Sequence, residues 1–327
     1  MNGGPPLASI LLIAYQQEKT VADAVAGALG QTYSPLEIIL SDDASSDGTF
    51  AAMQAAVAGY TGPHRIVLNH NPHNMGIGAH LSHLVSLSKG EMLFVAAGDD
   101  VSLPQRCERV MEVWRTSEQR LDLIAAALID IDEAGHTGAV ITPSDLATYR
   151  NAADWLARPP FVVGAAQAWT RRVFERFGPL PQGVVAEDLV MVLRAVMSGG
   201  AATLAEPLVR YRRGGLSFRR RAQTAGDVVK ALLKNNRSSL VELPLLLNDA
   251  RSAGQLAAVE PALRARLARE LFVRDLFAAR SFPARCRVVT GAPMVSLALR
   301  LRLFVYAACP ALLAPFFRLK RSVRRTR

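Results

Sequence analysis

The sequence predicts an α/β fold: a mostly parallel sheet flanked by helices over residues 1–215, followed by a mainly helical, basic region over residues 216–327. Two observations carry this. Apolar runs of strand length alternate with amphipathic stretches of helical length as far as about residue 100, the pattern of repeated βαβ units. Beyond Ala222 the pattern gives way to long Ala/Leu/Arg-rich stretches of helical period. The charge changes sign at nearly the same place. Residues 1–209 carry 13 Lys/Arg and 22 Asp/Glu, a balance of −9, whereas residues 210–327 carry 25 and 6, a balance of +19.

Taken in order, Leu7–Tyr15 is a near-continuous apolar run, as suits a strand buried on both faces. Thr20–Gly30 places Val21, Ala24, Val25, Ala28 and Leu29 at helical spacing. Leu36–Leu40 is the second strand and runs into Ser41-Asp42-Asp43. Asp47-Gly48-Thr49 opens a second amphipathic stretch to about Ala58. Arg65–Leu68 is a third strand, Ile77–Ser88 a third helix, and Glu91–Ala96 a fourth strand that ends at Gly98-Asp99-Asp100. Three helical stretches follow in the basic region, at Thr224–Leu247, Gly254–Arg280 and Val295–Phe317. Pro244, Pro261, Pro283, Pro293, Pro310 and Pro315 are expected to interrupt them. The boundary is expected between Arg212-Arg213-Gly214-Gly215 and Arg219-Arg220-Arg221.

Composition excludes several classes. Half the residues are apolar and a fifth charged, so the chain is neither disordered nor collagen-like. Cys107, Cys286 and Cys309 are few, odd in number and far apart, which argues against a disulfide framework and for a reducing compartment. No basic segment precedes Leu7–Tyr15, which is too short for a signal core or a span. The start is therefore read as that of a mature cytoplasmic protein.

Ligands of parallel sheets bind beyond the carboxyl ends of the strands. Tyr15, Asp42, Asp43, Asp99 and Asp100 all fall there. An aromatic at a strand end can stack on a flat base, and a carboxylate on the neighbouring strand can accept from base or ribose donors. The same carboxylates also suit turn and N-cap chemistry before Ser45–Gly48. Adjacent acids beyond an apolar strand repel unless a cation or donors offset them, and a hard divalent ion does so. Glu187-Asp188 opens a helical stretch, where acids also complement the helix dipole.

In combination these motifs resemble the family 2 glycosyltransferases with a GT-A fold. The resemblance rests on the run from Ser9 to Thr49 with its Asp42-Asp43-x-Ser-x-Asp-Gly-Thr ending, on Asn74-Met75-Gly76-Ile77-Gly78, and on Lys89-Gly90-Glu91. It continues through Gly98-Asp99-Asp100, Pro104, Arg106 and Glu187-Asp188, and fades after Tyr211-Arg212. It implies an inverting enzyme of the bacterial polysaccharide type that takes a nucleotide-diphosphate sugar donor. By position, Tyr15 is the stacking candidate and Asp43 the base reader, with Asp42, Gly76 and Arg212 beside the donor. Asp188 is the general base and Glu187 its neighbour. Asp99 and Asp100 would hold Mg²⁺ or Mn²⁺. The family's Asp-x-Asp aligns with Ala97-Gly98-Asp99, so its first acid is absent here, and the family's Tyr-Arg-x-His becomes Tyr211-Arg212-Arg213-Gly214 without a histidine. Arg212 or Arg213 would meet the diphosphate or lie solvated at the edge. The acceptor site is expected at Phe161–Trp169 and the residues before Glu187, where Gly164 permits close approach.

Two features lie outside that pattern. His70, His73, His80 and His83 fall within fourteen residues, but no cysteine or acid joins them before Glu91, so a zinc site is not expected. Leu303–Phe317 is fifteen residues without a charge, followed by a final ten of which six are basic. That is short of the about 20 residues of a span, and it suits shallow docking on an anionic membrane surface. The expected partners are thus a nucleotide-diphosphate sugar, a saccharide or lipid-linked acceptor, and the inner membrane face. Nucleic acid is not expected, because no aromatics interleave the arginines. A nucleotidyltransferase on a related sheet, a nucleic-acid-binding protein using the basic half and a degenerate transferase that binds without turnover are the competing readings.

Overall fold

The structure, a computed structural model, describes residues 4–132, 135–212 and 224–308. Chain order is β1 (Ala8–Ala14), α1 (Val21–Leu29), β2 (Leu36–Asp42), α2 (Thr49–Val57), β3 (Arg65–His70), α3 (Ile77–Leu87), β4 (Met92–Ala97), β5 (Val101–Ser102) and α4 (Arg106–Thr116). There follow β6 (Leu123–Ile131), β7 (Thr137–Ile141), α5 (Ala152–Ala157), β8 (Gln167–Thr170), α6 (Arg171–Phe177), α7 (Glu187–Val196) and β9 (Ala201–Arg212). The helices α8 (Ala225–Ser252), α9 (Leu256–Ala278), α10 (Phe282–Thr290) and α11 (Leu297–Ala308) complete the described elements.

Among the described residues, nine strands form one sheet in the order β3-β2-β1-β4-β8-β6-β9-β5, with β7 on β6. The pairs β1–β2, β1–β4, β2–β3 and β6–β9 are parallel, while β8 runs antiparallel to both β4 and β6. Two reversals restore direction, so β3, β2, β1, β4, β6 and β9 all point the same way and their carboxyl ends share one edge. This is the α/β sheet flanked by helices that the first four βα units predicted. β1 and β2 are buried along nearly their whole length, as continuous apolar strands should be. Val21, Ala24, Val25 and Ala28 of α1 are the residues it buries, and Ile10, Leu12, Ile38, Leu40, Met53 and Phe94 belong to the core cluster beneath it.

The amino edge of the sheet is closed by a carboxylate. Glu37 accepts from Ser9 Oγ at 2.6 Å, Arg65 Nη1 at 2.8 Å and Gly90 N at 3.1 Å, and also from Lys89 N. Burial alone would raise its pKa, but these donors outweigh burial and hold the carboxyl below its usual range. Lys89-Gly90-Glu91 thus serves β1, β2 and the entry to β4 as scaffold.

Contacts divide the chain into two units, Met1–Phe218 with Asp249–Gln255, and Arg219–Asn248 with Leu256–Arg327. The stretches 213–223 and 309–327 lie outside the described residues, and with them fall Arg213, Gly214, Gly215, Arg219–Arg221, Cys309, Pro310, Pro315, most of the uncharged run Leu303–Phe317 and the basic final ten residues. The second unit gathers Phe272, Val273, Leu276, Val295 and Leu303 into its own core. Pro244 and Pro261 do not end their helices, contrary to expectation: both lie inside, in α8 and α9. Proline removes one N–H and costs about 3 kcal/mol in a helix interior, a penalty that apolar burial along a long helix offsets. Pro283 sits instead in the first turn of α10, where no N–H is required, beside a Ser281 cap. Among the described residues no helix is long and apolar enough to cross a membrane.

In the first unit, Arg194 of α7 is fully buried and donates Nε to Asp249 Oδ2 at 2.7 Å and Nη1 to Gly178 O at 2.8 Å. Burial raises the Asp249 pKa and Arg194 opposes that rise. Asp249→Asn is expected to cost about 3–5 kcal/mol because it strands a buried cation; urea unfolding reads this, and the apolar pair Arg194→Met with Asp249→Leu should recover most of it. A second expectation concerns His80, which is buried in α3 with Nε2 at 2.6 Å from Ser41 Oγ. Burial lowers its pKa to about 4 against the opposing pull of Asp43, with His83 lowering it further and Asp42 raising it. The unfolded chain therefore takes up a proton near pH 6.5 that the native state refuses until about pH 4. This contribution to stability is full above pH 6.5, falls through that window, and is worth roughly 3 kcal/mol. Stability measured from pH 7 to 4 should fall less steeply in His80→Gln than in the parent.

Candidate active site

The shared carboxyl edge collects the turns that follow β1, β2 and β4 and the ends of β6 and β9. The turn after β1 is sewn to the one after β2: Gln16 N donates to Ser45 Oγ and Gln17 N to Thr49 Oγ1, both at 2.8 Å. Glu18 Oε2 accepts from Gly48 N at 2.9 Å. Tyr15 stands at the end of β1 with 36% of its surface exposed, free of the core and available to a planar ligand.

Asp42 and Asp43 divide the work. Asp42 is buried and accepts from Ser45 N at 2.9 Å and from Ser45 Oγ, with His70 Nε2 at 3.2 Å. Its turn role is thereby occupied. Asp43 reaches the loop before α3: Oδ1 accepts from Asn71 Nδ2 at 2.8 Å and Met75 N at 2.9 Å, and Oδ2 from Gly76 N at 3.0 Å. Gly76 has φ +74°, a left-handed conformation that favours glycine, and it starts α3. Asp43 and Gly76, named separately from the sequence, are therefore hydrogen-bonded to each other. The histidines of the same stretch are spent locally, His80 on Ser41 and His70 stacked on Phe50 with ring centroids 4.5 Å apart. Among the described residues, no group of three His, Cys, Asp or Glu is arranged to hold a metal.

Beyond β4 the chain turns through Gly98-Asp99-Asp100 into β5, which pairs with the end of β9. Arg212 locks this turn: its N–H donates to Asp100 Oδ1 at 2.8 Å, its Nε to Asp99 O at 3.3 Å and its Nη1 to Asp132 O at 3.3 Å, while Nη2 lies 3.7 Å from Asp23 Oδ2. Its contacts are thus with the turn that carries the acids. Burial, then proximity to Asp99, pushes Asp100 up to about 8 despite the Arg212 N–H. Asp99 is also raised, by burial, against hydrogen bonding from Gln17 and the charge of Arg212.

Glu187 and Asp188 form the first turn of α7, with Glu187 buried and Asp188 partly so. Gln167 Nε2 donates to Asp188 O at 3.3 Å. A Cβ on Gly164 would stand 2.8 Å from Glu187 Oε1 and 3.6 Å from Asp188 Cβ, so glycine is what lets that segment lie against the acids. Of the expected acceptor segment, Phe161 is exposed, whereas Gln167, Ala168 and Trp169 are buried in β8.

Tyr211, the residue before Arg212, connects the two acidic groups. Its hydroxyl pKa is raised first by burial and then by the charges of Asp100, Asp99, Asp130 and Asp188. The charges of acids at the ends of β4 and β6 and in α7 thus act on one half-buried phenol. Sequence reasoning assigned no part to Tyr211, Asp130 or Gln17, and included Gln167 only within the expected acceptor segment Phe161–Trp169. The Tyr-Arg pair was the signal for the first; Asp130 and Gln167 sit in strands whose place at the edge emerges only when β6 and β8 join the sheet, and Gln17 lies in the turn after β1.

Residues 9–177 match the family described as Glycosyl transferase family 2. The chain is similar to the EpsE protein of Bacillus subtilis (strain 168), 29% identical over 248 residues that make up 75% of this chain and 86% of that one. In fold it is similar to S. aureus TarS 1–349 in complex with UDP-GlcNAc, with TM-score 0.52 and 14% identity over 98% of this chain and 92% of that one. It is also similar to a mannosyltransferase from Pyrobaculum calidifontis in complex with GDP-Man and Mn²⁺, with TM-score 0.52 and 15% identity over 95% of this chain and 87% of that one. The match covers β1 to β8, more than half of the chain, and on that ground the chain belongs to glycosyl transferase family 2, a glycosyltransferase of the GT-A fold.

Proposed function

We propose that the protein moves a sugar from a nucleotide-diphosphate donor to an acceptor hydroxyl with inversion, in the synthesis of a cell-surface polysaccharide or glycolipid. The observation that supports this reading is that the charges of Asp99 and Asp100, read here as the donor-side pair, and of Asp188, read as the acceptor-side acid, all act on the Tyr211 phenol. The names of the structural neighbours, which bind UDP-GlcNAc and GDP-Man, support a nucleotide-sugar donor.

In this reading Tyr15 stacks on the base, and Asp43 holds the Asn71–Gly76 loop as the wall beside it and offers its remaining lone pairs to the base or ribose. Asp42 supports the turn beneath. Asp188 takes the proton of the acceptor hydroxyl as its oxygen bonds to the anomeric carbon. The carbon–oxygen bond to the diphosphate breaks on the opposite face, and the nucleoside diphosphate leaves. Glu187 keeps the first turn of α7 against Gly164 and so orients Asp188. Arg212 fixes the Asp99–Asp100 turn and adds positive charge near the leaving group.

The Asp99–Asp100 turn fits a hard divalent cation, since two adjacent carboxylates, both held above the usual carboxylate range, lack enough positive charge around them. Asp99, the more exposed, and Asp100 would hold Mg²⁺ or Mn²⁺. The ion would supply neutralisation of diphosphate charge.

We also place the protein at the cytoplasmic face of a membrane, with a saccharide or lipid-linked acceptor. The +19 balance of residues 210–327 supports attraction to anionic lipid.

Turnover of a nucleotide-sugar panel by the purified protein tests the reading, with nucleoside diphosphate as the expected product; pyrophosphate would put attack at phosphorus instead. Asp188→Asn is expected to slow transfer by ~10²–10⁴-fold while calorimetry finds donor affinity nearly unchanged. Full activity in that variant removes Asp188 as the base. Gly164→Ala should slow transfer about tenfold by displacing the Glu187 carboxylate that orients Asp188, with thermal unfolding close to that of the parent.

A further inference from the structure

We propose that the outward side of α11, together with Phe282 and Met294, is a seat for an anionic lipid bilayer. This rests on the membrane-surface reading above and assigns the contact to particular residues of the second unit.

α11 turns Leu299, Leu303 and Ala307, at i, i+4 and i+8, into the core of its unit, where Leu303 is buried. The opposite side of a surface helix is ordinarily polar. Here it carries Leu297 and Leu301, one turn apart and 59% and 53% exposed, with Ala298 and Arg302 beside them. Met294, in the turn just before the helix, is 68% exposed. Phe282, 64% exposed, meets the edge of Phe304, with centroids 5.6 Å apart and rings at 79°. Phe304 lies at i+3 from Leu301 and i+7 from Leu297, so the phenyl ring extends the same apolar stripe. Four of the nine large apolar side chains that stand exposed among the described residues fall within these twenty residues, 282–301.

The charge around the patch is mainly positive, the acid beside it being Asp275, which lines a cavity with Met294 and is paired with Arg274 at 2.8 Å. The sequence contains no Asp or Glu after Asp275, whereas Arg280, Arg285, Arg287, Arg300 and Arg302 lie within or beside the patch segments. Six more basic residues close the chain. Apolar side chains entering the acyl boundary with cations at the phosphate level is the arrangement of an in-plane membrane contact. Nucleic acid offers phosphates but no apolar exterior for Met294, Leu297 and Leu301. No described helix is long and apolar enough to span, so the contact lies along the surface.

The test is co-sedimentation of the full chain with phosphatidylcholine vesicles, with and without phosphatidylglycerol. The parent should bind the anionic vesicles, and less so as salt rises. The triple variant Met294→Ser, Leu297→Ser, Leu301→Ser should bind at least about tenfold more weakly, with circular dichroism melting and donor turnover in solution unchanged. Neutralising the six basic residues of 318–327 should reduce the salt-sensitive part only. If the triple variant binds as the parent does, this face is not the seat, although the membrane reading stands. If the parent binds no vesicle, both fall. A parent that ignores vesicles but dimerises in sedimentation velocity, with a monomeric triple variant, assigns the face to a second copy and overturns the proposal.

Discussion

A single buried guanidinium holds the first unit together where its sheet changes direction. β4 and β8 pair only from Met92–Phe94 against Thr170–Ala168. One residue further on, Arg106 Nη2 fills the gap, donating to Val95 O at 2.8 Å and Gln167 O at 3.2 Å. Its Nη1 reaches Ser102 Oγ of β5 at 2.9 Å, and its carbon stands 5.8 Å from the centre of the Phe94 ring. Arg106 is 1% exposed, yet its pKa, lowered by burial to about 10, leaves it charged at neutral pH. The adjacent Cys107 thiol, pushed up by burial to about 12, stays neutral. A cation fixed in this position bears on Asp100, and through the backbone of Gln167 it reaches the residue that bonds Asp188. Both acidic groups of the site hang from that crossing.

The two edges of the sheet show how the same functional group is put to opposite uses. Glu37 at the amino edge is wrapped by donors and held below the ordinary carboxylate range. Asp99 and Asp100 at the carboxyl edge are similarly withdrawn from water but face each other, and they are held above it. The first is a closed electrostatic problem that stabilises the fold. The second keeps its acids above that range even with Arg106 and Arg212 beside them, and groups perturbed in this way are enriched at functional sites.

The first half of the sheet was legible because β1, β2 and β4 are largely apolar on both faces and its helices carry their buried residues at regular spacing, as α1 does. The second half was not. Ala125-Ala126-Ala127 in β6 lacks the branched side chains that mark a strand, β8 has only four residues, and β9 contains Pro207 next to register shifts. Those strands bring Asp130, Gln167 and Tyr211 to the edge, so Asp130 and Tyr211 escaped notice along with their strands. Arg212 was visible as a cation near the donor site, but only the pairing of β9 with β5 explains its hold on the Asp99–Asp100 turn. Pro244 and Pro261 misled in the other direction, since local rules penalise them without weighing the burial along a long helix.

Asp43 has a consequence for binding that goes beyond the bonds it makes. Three donors from the Asn71–Gly76 segment converge on this one buried carboxylate, and the left-handed Gly76 sets the chain into α3 from there. The segment is therefore ordered when the protein folds, and its loss of conformational entropy is not incurred again at each encounter with a ligand. A wall built in this way favours shape discrimination over adaptability, and variation in ligand preference among related chains would then arise in side chains along the segment and not in its path.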